Sequence, residues 1–323
     1  LAAGPWRIAL LDRRARGAGQ DDPRALALSY GARQLLEPLG AWPQSTLSTE
    51  SPIREIHVSQ RGGFGRTLIR PRDYGLPALG DVLGYGALSA ALEGALERQP
   101  TPPAWLAPGE ISQLAALPER VSVRLADGRT LHPRLVVHAE GTPGDDAACA
   151  AFRYHQHAVI CEATPRAPHG GRAWERFTPD GPLALLPLGE CYAVVFTVPP
   201  EKADALLALD DAAFARALEA QFGRRLEIAS CGPRSAFPLA LRLRKALVAP
   251  REVWIGNAAQ TLHPVSGQGF NLGLRDAWQL ADILRTHGTE TPELDRYVRA
   301  RRLDRRGSAF FTDQIVKAFS NDC

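Results

Sequence analysis

Short apolar runs closed by acids or glycines mark the start of the chain. Trp6-Arg7-Ile8-Ala9-Leu10-Leu11-Asp12 predicts a buried parallel strand, and Leu26 to Leu39 has a helical spacing that Gly40 ends. Val121, Val123 and Leu125 alternate with polar residues and run into Asp127-Gly128, a hairpin turn signal. The return arm ends in Leu135-Val136-Val137, predicted as another buried strand, followed by Ala139-Glu140-Gly141.

From about 150 to 250 the texture changes to strand-like pieces, His157 to Cys161, Leu183 to Leu188 and Tyr192 to Val198, parted by Pro and Gly turns. One helical stretch, Lys202 to Phe222, interrupts them. Glu252-Val253-Trp254-Ile255-Gly256 then predicts a strand, and two long helices follow over Phe270 to Arg285 and Glu293 to Phe319. This order predicts an α/β chain: a parallel-strand domain built from the first and last parts, with a sheet-rich domain inserted into it.

Composition narrows the class. With 45% hydrophobic and 23% charged residues, the chain is an ordinary globular one, not a disordered, collagenous or disulfide-framework sequence. The formal charge is +3, and only Lys202, Lys245 and Lys317 are lysine, so the basic balance is an arginine bias. Arg299, Arg301, Arg302, Arg305 and Arg306 gather on the last helix among Asp295 and Asp304, which reads as a solvated face, and no nucleic-acid partner is expected. Five cysteines, Cys323 among them, include no Cys-x-x-Cys pair, which points to a reducing compartment and a cytoplasmic protein. No apolar run reaches the roughly 18 residues that span a bilayer, so membrane contact is expected to be peripheral. His155-Gln156-His157 offers two imidazoles but no third ligand, and no metal is expected.

The chemistry concentrates between Gly256 and Gly273, where a strand joins a helix. Phe270, Leu274, Ala277, Ala281 and Leu284 recur at helical steps and predict one buried stripe. Gly267 and Gly269 flank Gln268, so the backbone at the helix start can approach a ligand. Unpaired N–H groups and the positive dipole end favour an anion there. A phosphate meets that demand, and so does a reduced flavin.

The run Gly256-Asn257-Ala258-Ala259-Gln260-Thr261-Leu262-His263-Pro264, with Gly267-Gln268-Gly269-Phe270-Asn271, resembles the second flavin-binding motif of the class A FAD-dependent aromatic hydroxylases. There the pattern is Gly-Asp-Ala-Ala-His followed by Pro and Gly-x-Gly-x-Asn. Asn257 stands for the acid and Gln260 for the histidine, a variant that resembles the ubiquinone-biosynthesis branch, closest to the 2-polyprenyl-6-methoxyphenol hydroxylases. Arg24-Ala25-Leu26-Ala27-Leu28-Ser29-Tyr30-Gly31, Glu175-Arg176-Phe177-Thr178-Pro179 with Gly181 to Pro187, and Tyr297, Arg301, Arg302 and Asp304 resemble further family segments.

The resemblance implies an FAD-binding Rossmann-like domain over 1–50, 84–148 and 250–323, and an inserted, mostly antiparallel substrate domain over 51–83 and 149–249. It implies that Asp12 matches the ribose-binding acid, about 20 residues beyond a glycine turn. That turn and the first strand are therefore expected upstream of Leu1. The chain has no methionine, even at position 1, which agrees with that expectation. The region around Gly84-Tyr85-Gly86 and the end at Cys323 look short for the family.

Cofactor contacts are implied for Asp12, Arg24, Gly256, Asn257, Gly267, Gln268, Gly269, Phe270 and Asn271. His263 and Pro264 are implied beside the isoalloxazine, with His263 either moving a proton or simply packing. The implied reaction uses NAD(P)H and O₂ to hydroxylate a polyprenylated phenol, with other ubiquinone-biosynthesis proteins as partners and peripheral contact at the inner face of the cell membrane. Two alternatives stay open: a sister monooxygenase acting on another lipophilic ring, and a flavin-free scaffold that binds prenylated intermediates. Arg61-Gly62-Gly63-Phe64-Gly65-Arg66 has an RNA-binding composition but is isolated, and reads as a hairpin turn.

Overall fold

The strand expected between Trp6 and Asp12 forms over Ala9–Leu11 and pairs in parallel with Ala104–Leu106. A second parallel pair joins Val136–His138 to Glu252–Trp254, with Val248–Ala249 antiparallel on its far side. The computed structural model describes residues 1, 4–43, 51–63, 65–143 and 147–319; Phe64 and Cys323 lie outside the described residues. Its helices are α1 (Tyr30–Leu36), α2 (Tyr85–Glu97), α3 (Pro200–Ala208), α4 (Asp211–Phe222), α5 (Gln268–His287) and α6 (Thr291–Phe319).

Three sequence expectations change. Leu26 to Leu39 is not one helix: Ala25–Ser29 is a strand antiparallel to Gly80–Gly84, and only from Tyr30 does the chain coil. The switch falls at Ser29, whose side chain accepts from the Ala32 amide and caps α1. Lys202 to Phe222 is split into α3 and α4, because Asp210 caps a new start by accepting from the Ala213 amide at 2.6 Å. Val137, expected to be buried, is 41% exposed, since only alternate residues of its strand turn inward.

Among the described residues the middle of the chain builds a nine-stranded sheet, largely antiparallel. Its longest strand, Cys149–Pro165, breaks register between Arg153 and His157, where His155 adopts φ 53°, so His155 and His157 do not continue one regular ladder. Among the described residues no group of three His, Cys, Asp or Glu side chains is placed to hold a metal.

One face of the sheet carries Val159, Trp174, Leu183, Leu185, Val194 and Phe196, and packs against Phe214, Leu218 and Phe222 of α4. Burying such side chains contributes about 1.5–3 kcal/mol each, which makes this face the main core of the inserted part. The other face turns toward the flavin-motif part: Ala173 packs with Ile53 and Val82, and Phe177 with Val265.

The segment 51–83 divides between the two parts. Glu55–Gln60 and Arg66–Ile69 join the large sheet, whereas Ser51–Pro52 and Gly80–Gly84 pair beside Ala25–Ser29. No helix among the described residues is long and apolar enough to cross a membrane.

Candidate functional site

The strand Glu252–Trp254 delivers the chain into a short helical turn at Gly256–Ala258. Gly256 has φ +57°, and a Cβ on Gly273 of α5 would meet the Gly256 Cα at 3.2 Å, so both positions need glycine for strand end and helix to touch. Asp276, buried one turn beyond Gly273 on α5, fixes this approach. Its Oδ2 accepts from the Gly256 amide at 3.0 Å and from Gln260 Nε2 at 2.6 Å, and its Oδ1 accepts from Arg301 Nε of α6 at 2.7 Å. Gln260 therefore has a structural task in this chain.

From Gln260 the backbone crosses to the large sheet, where Gln260–Thr261 pairs with Arg242 and Leu243. It then turns at Pro264–Ser266 and enters α5 through Gly267, at φ +59°. Asn271 ties this turn down. Its Oδ1 accepts from the Ser29 amide at 2.8 Å, and its Nδ2 donates to the Ala27 and Gly267 carbonyls at 2.9 Å each. The sequence reading gives Asn271 a cofactor contact; the structure spends its whole side-chain amide on the main chain, so its side chain shapes the turn.

The start of α5 is bare. Gly267 offers no capping side chain, and a Cβ built on Gly269 would meet nothing within 4 Å. The Gly267 amide donates to the Pro264 carbonyl at 2.8 Å, and the amides of Gln268 to Phe270 that follow lack partners within the helix. Gln268 and Asn257 are exposed, and the Asn257 carbonyl accepts from Thr261 Oγ1 at 3.2 Å. Open backbone donors at a helix start fit a polar, electron-rich ring edge such as that of a flavin. Phe270 instead points inward, half-buried against the cluster that holds Leu28, Leu36 and Leu88.

His263 is almost wholly buried. Its Nδ1 accepts from the Val265 amide at 3.1 Å, which fixes the proton on Nε2, and that nitrogen has no partner among the described residues. Burial drives its pKa down to about 4, so the ring is neutral across the physiological range. It meets the Tyr154 ring edge-on at 4.9 Å, and Tyr154 packs in turn with Val58, Phe177 and Val265. Pro264 is exposed at the same turn.

Asp12 and Arg24 are placed otherwise. Asp12 follows Ala9–Leu11; burial pushes its pKa up, but hydrogen bonds from the Arg14 side chain and amide outweigh this and hold it low. Arg24 leads into Ala25–Ser29, bonded to Asp22 at 2.7 Å and lying over the Tyr85 ring. Ala27 of that strand lies against the Gly267 turn, which links Arg24's strand to the site.

Sequence reasoning passed over Asp276, and quoted Glu175 only as part of a family-like segment, without a role. Asp276 sits on the buried side of α5 between Leu272 and Leu280, and a charge at core spacing was the available signal. Glu175 lies in a strand whose other face is core. Its Oε1 is shut off from solvent without a partner among the described residues, and burial alone raises its pKa to about 8.

The protein-family model described as "FAD binding domain" matches residues 115–307, more than half of the chain. The ubiquinone hydroxylase UbiL of Rhodospirillum rubrum is 33% identical over 93% of this chain and 72% of its own length. The 3-demethoxyubiquinol 3-hydroxylase of Escherichia coli is 29% identical over 94% of this chain and 80% of its own. Among solved structures, PqsL, a probable FAD-dependent monooxygenase from Pseudomonas aeruginosa, superposes with a TM-score of 0.80 at 20% identity, covering 98% of this chain and 90% of that one.

Proposed function

The chain belongs to the FAD-binding domain family and is an FAD-dependent monooxygenase, and from that premise we propose that it hydroxylates a polyprenylated phenol in ubiquinone biosynthesis, with NAD(P)H as electron donor. The observation that carries the reading is the uncapped start of α5, opened by Gly267 and Gly269, a few residues after a neutral histidine whose Nε2–H has no acceptor among the described residues.

Bound FAD would supply the activation of O₂, one atom of which is delivered to the ring while the other leaves as water. In this reading the amides of Gln268 to Phe270 would face the pyrimidine edge of the cofactor and stabilise its negative charge by about 0.3–2 kcal/mol. Asn257 adds an amide side chain without adding charge. Asn271 and Asp276 hold those amides in place. The Nε2–H of His263 donates a hydrogen bond toward cofactor or substrate, and because the ring stays neutral it adds no cation to the site. Val58, Phe177 and Val265 form an apolar wall that excludes water.

The flavin part is assigned to 1–50, 84–148 and 250–323, extended by the two short strands at 51–52 and 80–84, and the substrate part to 53–79 and 149–249. A polyprenyl tail gains about 0.8 kcal/mol for each CH₂ removed from water, so a substrate of this class resides in a bilayer. We place the enzyme at the cytoplasmic face of the membrane, in peripheral contact with it.

The test is reconstitution of the full-length protein with FAD. A yellow protein that consumes NAD(P)H and O₂ and adds one oxygen atom to a prenylated phenol supports the proposal. A colourless protein that still binds prenylated phenols supports a flavin-free scaffold instead. A flavoprotein that oxidises only other lipophilic rings overturns the substrate assignment.

A further inference from the structure

Glu175 stands where a carboxyl is expensive. Its strand, Arg172–Thr178, pairs Glu175 with Val58 on one side and Ala184 on the other; Ala184 then faces Val195, and Val195 faces Ile160. Facing residues of neighbouring strands share one side of a sheet. The row that crosses five strands therefore reads Val58, Glu175, Ala184, Val195, Ile160, apolar except for one acid. All five are half-buried, whereas Trp174, Leu183, Leu185 and Val194 on the opposite face are fully packed.

The row also has a defined place. Two residues before Glu175, Ala173 packs with Val82; two residues after it, Phe177 packs with Val265. Side chains two apart on a strand point the same way, so Glu175 projects between the two points at which the flavin part touches the sheet. No hydrogen bond to its Oε1 exists among the described residues. The groups facing it across the flanking strands, Val58 and Ala184, cannot titrate. The titratable groups that border the adjoining apolar cluster are Tyr154 and His263.

An unpartnered acid in an apolar row matches a ligand that is apolar except for one hydroxyl. Resting on the proposed function, we infer that the row Val58-Glu175-Ala184-Val195-Ile160 is the floor of the substrate site, and that Glu175 binds the ring hydroxyl and accepts its proton. In that step the phenol O–H bond breaks, a carboxyl O–H bond forms, and the electron pair stays on the phenolic oxygen. The ring is thereby enriched in electrons before oxygen is transferred to it. The proton leaves to solvent when the product departs. Only the ionised carboxylate takes this proton, so the step strengthens as pH rises toward 8, and the raised pKa brings that carboxylate closer to the basicity of a phenolate.

The experiment uses the full-length protein loaded with FAD, in wild-type, Glu175→Gln and Glu175→Leu forms, with flavin content and melting temperature measured for each. The probes are a geranyl-substituted methoxyphenol and the same molecule with its hydroxyl methylated, titrated by the change in flavin absorbance. The wild type is expected to prefer the phenol by about tenfold, the usual consequence of leaving one buried polar group unpaired. Glu175→Leu is expected to lose that preference while retaining FAD and melting no lower than the wild type. Glu175→Gln is expected to bind the phenol yet not develop the phenolate absorbance that the wild type shows as pH is raised through 8.

Equal preference for the phenol in wild type and Glu175→Leu, or the same phenolate band in Glu175→Gln, overturns the inference. If Glu175→Leu does not fold, the glutamine variant decides alone. A wild-type protein that holds no flavin defeats the proposed function itself, a result distinct from a flavoprotein indifferent to residue 175.

Discussion

Two buried groups of opposite chemical character give the site opposite pH signatures. His263 titrates near 4 in the folded chain and near 6.5 in the unfolded one. Between those values only the unfolded chain takes up the proton, so stability falls as pH drops from 6.5 toward 4. His263→Gln is expected to melt higher relative to the wild type at pH 4.5 than at pH 7, as read by thermal denaturation. Glu175 runs the other way: its pKa is about 8 folded and 4.5 unfolded, so the folded chain holds the extra proton and stability falls as pH rises from 4.5 to 8. The melting advantage of Glu175→Gln over the wild type is expected to grow across that range. Asn271 differs from both, since all its polar atoms are satisfied by main chain. Asn271→Ala leaves buried amide and carbonyl groups unpaired, at about 1–3 kcal/mol each, and is expected to lower the urea midpoint by an amount worth at least about 2 kcal/mol.

At the scale of elements, helix α5 separates the demands of folding from those of binding. Gly269 lies inside the helix with open space beside it, where alanine is a better helix former by about 0.8–1.0 kcal/mol. Gly269→Ala is therefore expected to raise the melting temperature of the flavin-free protein while weakening FAD binding, because the added methyl occupies the approach to the bare amides. Measuring both on one preparation checks the claim, and unchanged FAD affinity removes Gly269 from the cofactor cradle. The same helix shows where periodicity misleads. The expected stripe Phe270, Leu274, Ala277, Ala281, Leu284 leaves Ala277 exposed, while Asn271, Leu272, Asp276, Leu280 and Ile283 are buried. The helix is covered on more than one side, by the cluster around Leu28 at its start and by that around Trp254 further on, so its buried arc is wider than a single stripe. Ala25–Ser29 misleads for a related reason: a short apolar run suits strand or helix, and its pairing partner, Gly80–Gly84, is more than fifty residues away in the chain.

Across the whole molecule, Asp276 gathers what lies far apart in sequence: the Gly256 turn, the edge of the large sheet through Gln260, and α6 through Arg301. Removing one partner of a buried ion pair leaves the other uncompensated. Arg301→Met is accordingly expected to cost about 3–5 kcal/mol and to loosen FAD at the same time, as measured by denaturant unfolding with and without cofactor.

What the sequence determined by itself is the chemistry that travels as a contiguous unit. The strand, turn and helix from Glu252 through α5 were legible because glycine, proline and apolar spacing act over a few residues, and the backbone groups proposed to meet the flavin lie within that span. The inserted sheet was legible as texture, through strand-length apolar runs parted by turns. Only the tertiary structure decided the remainder. It set Glu175 among Val58, Ala184, Val195 and Ile160, gave Asn271 to the main chain of another strand, and closed Asp276 onto Arg301. Those environments arise from pairings between strands and helices remote in the chain, and a side chain's desolvation is set by neighbours that no local pattern contains.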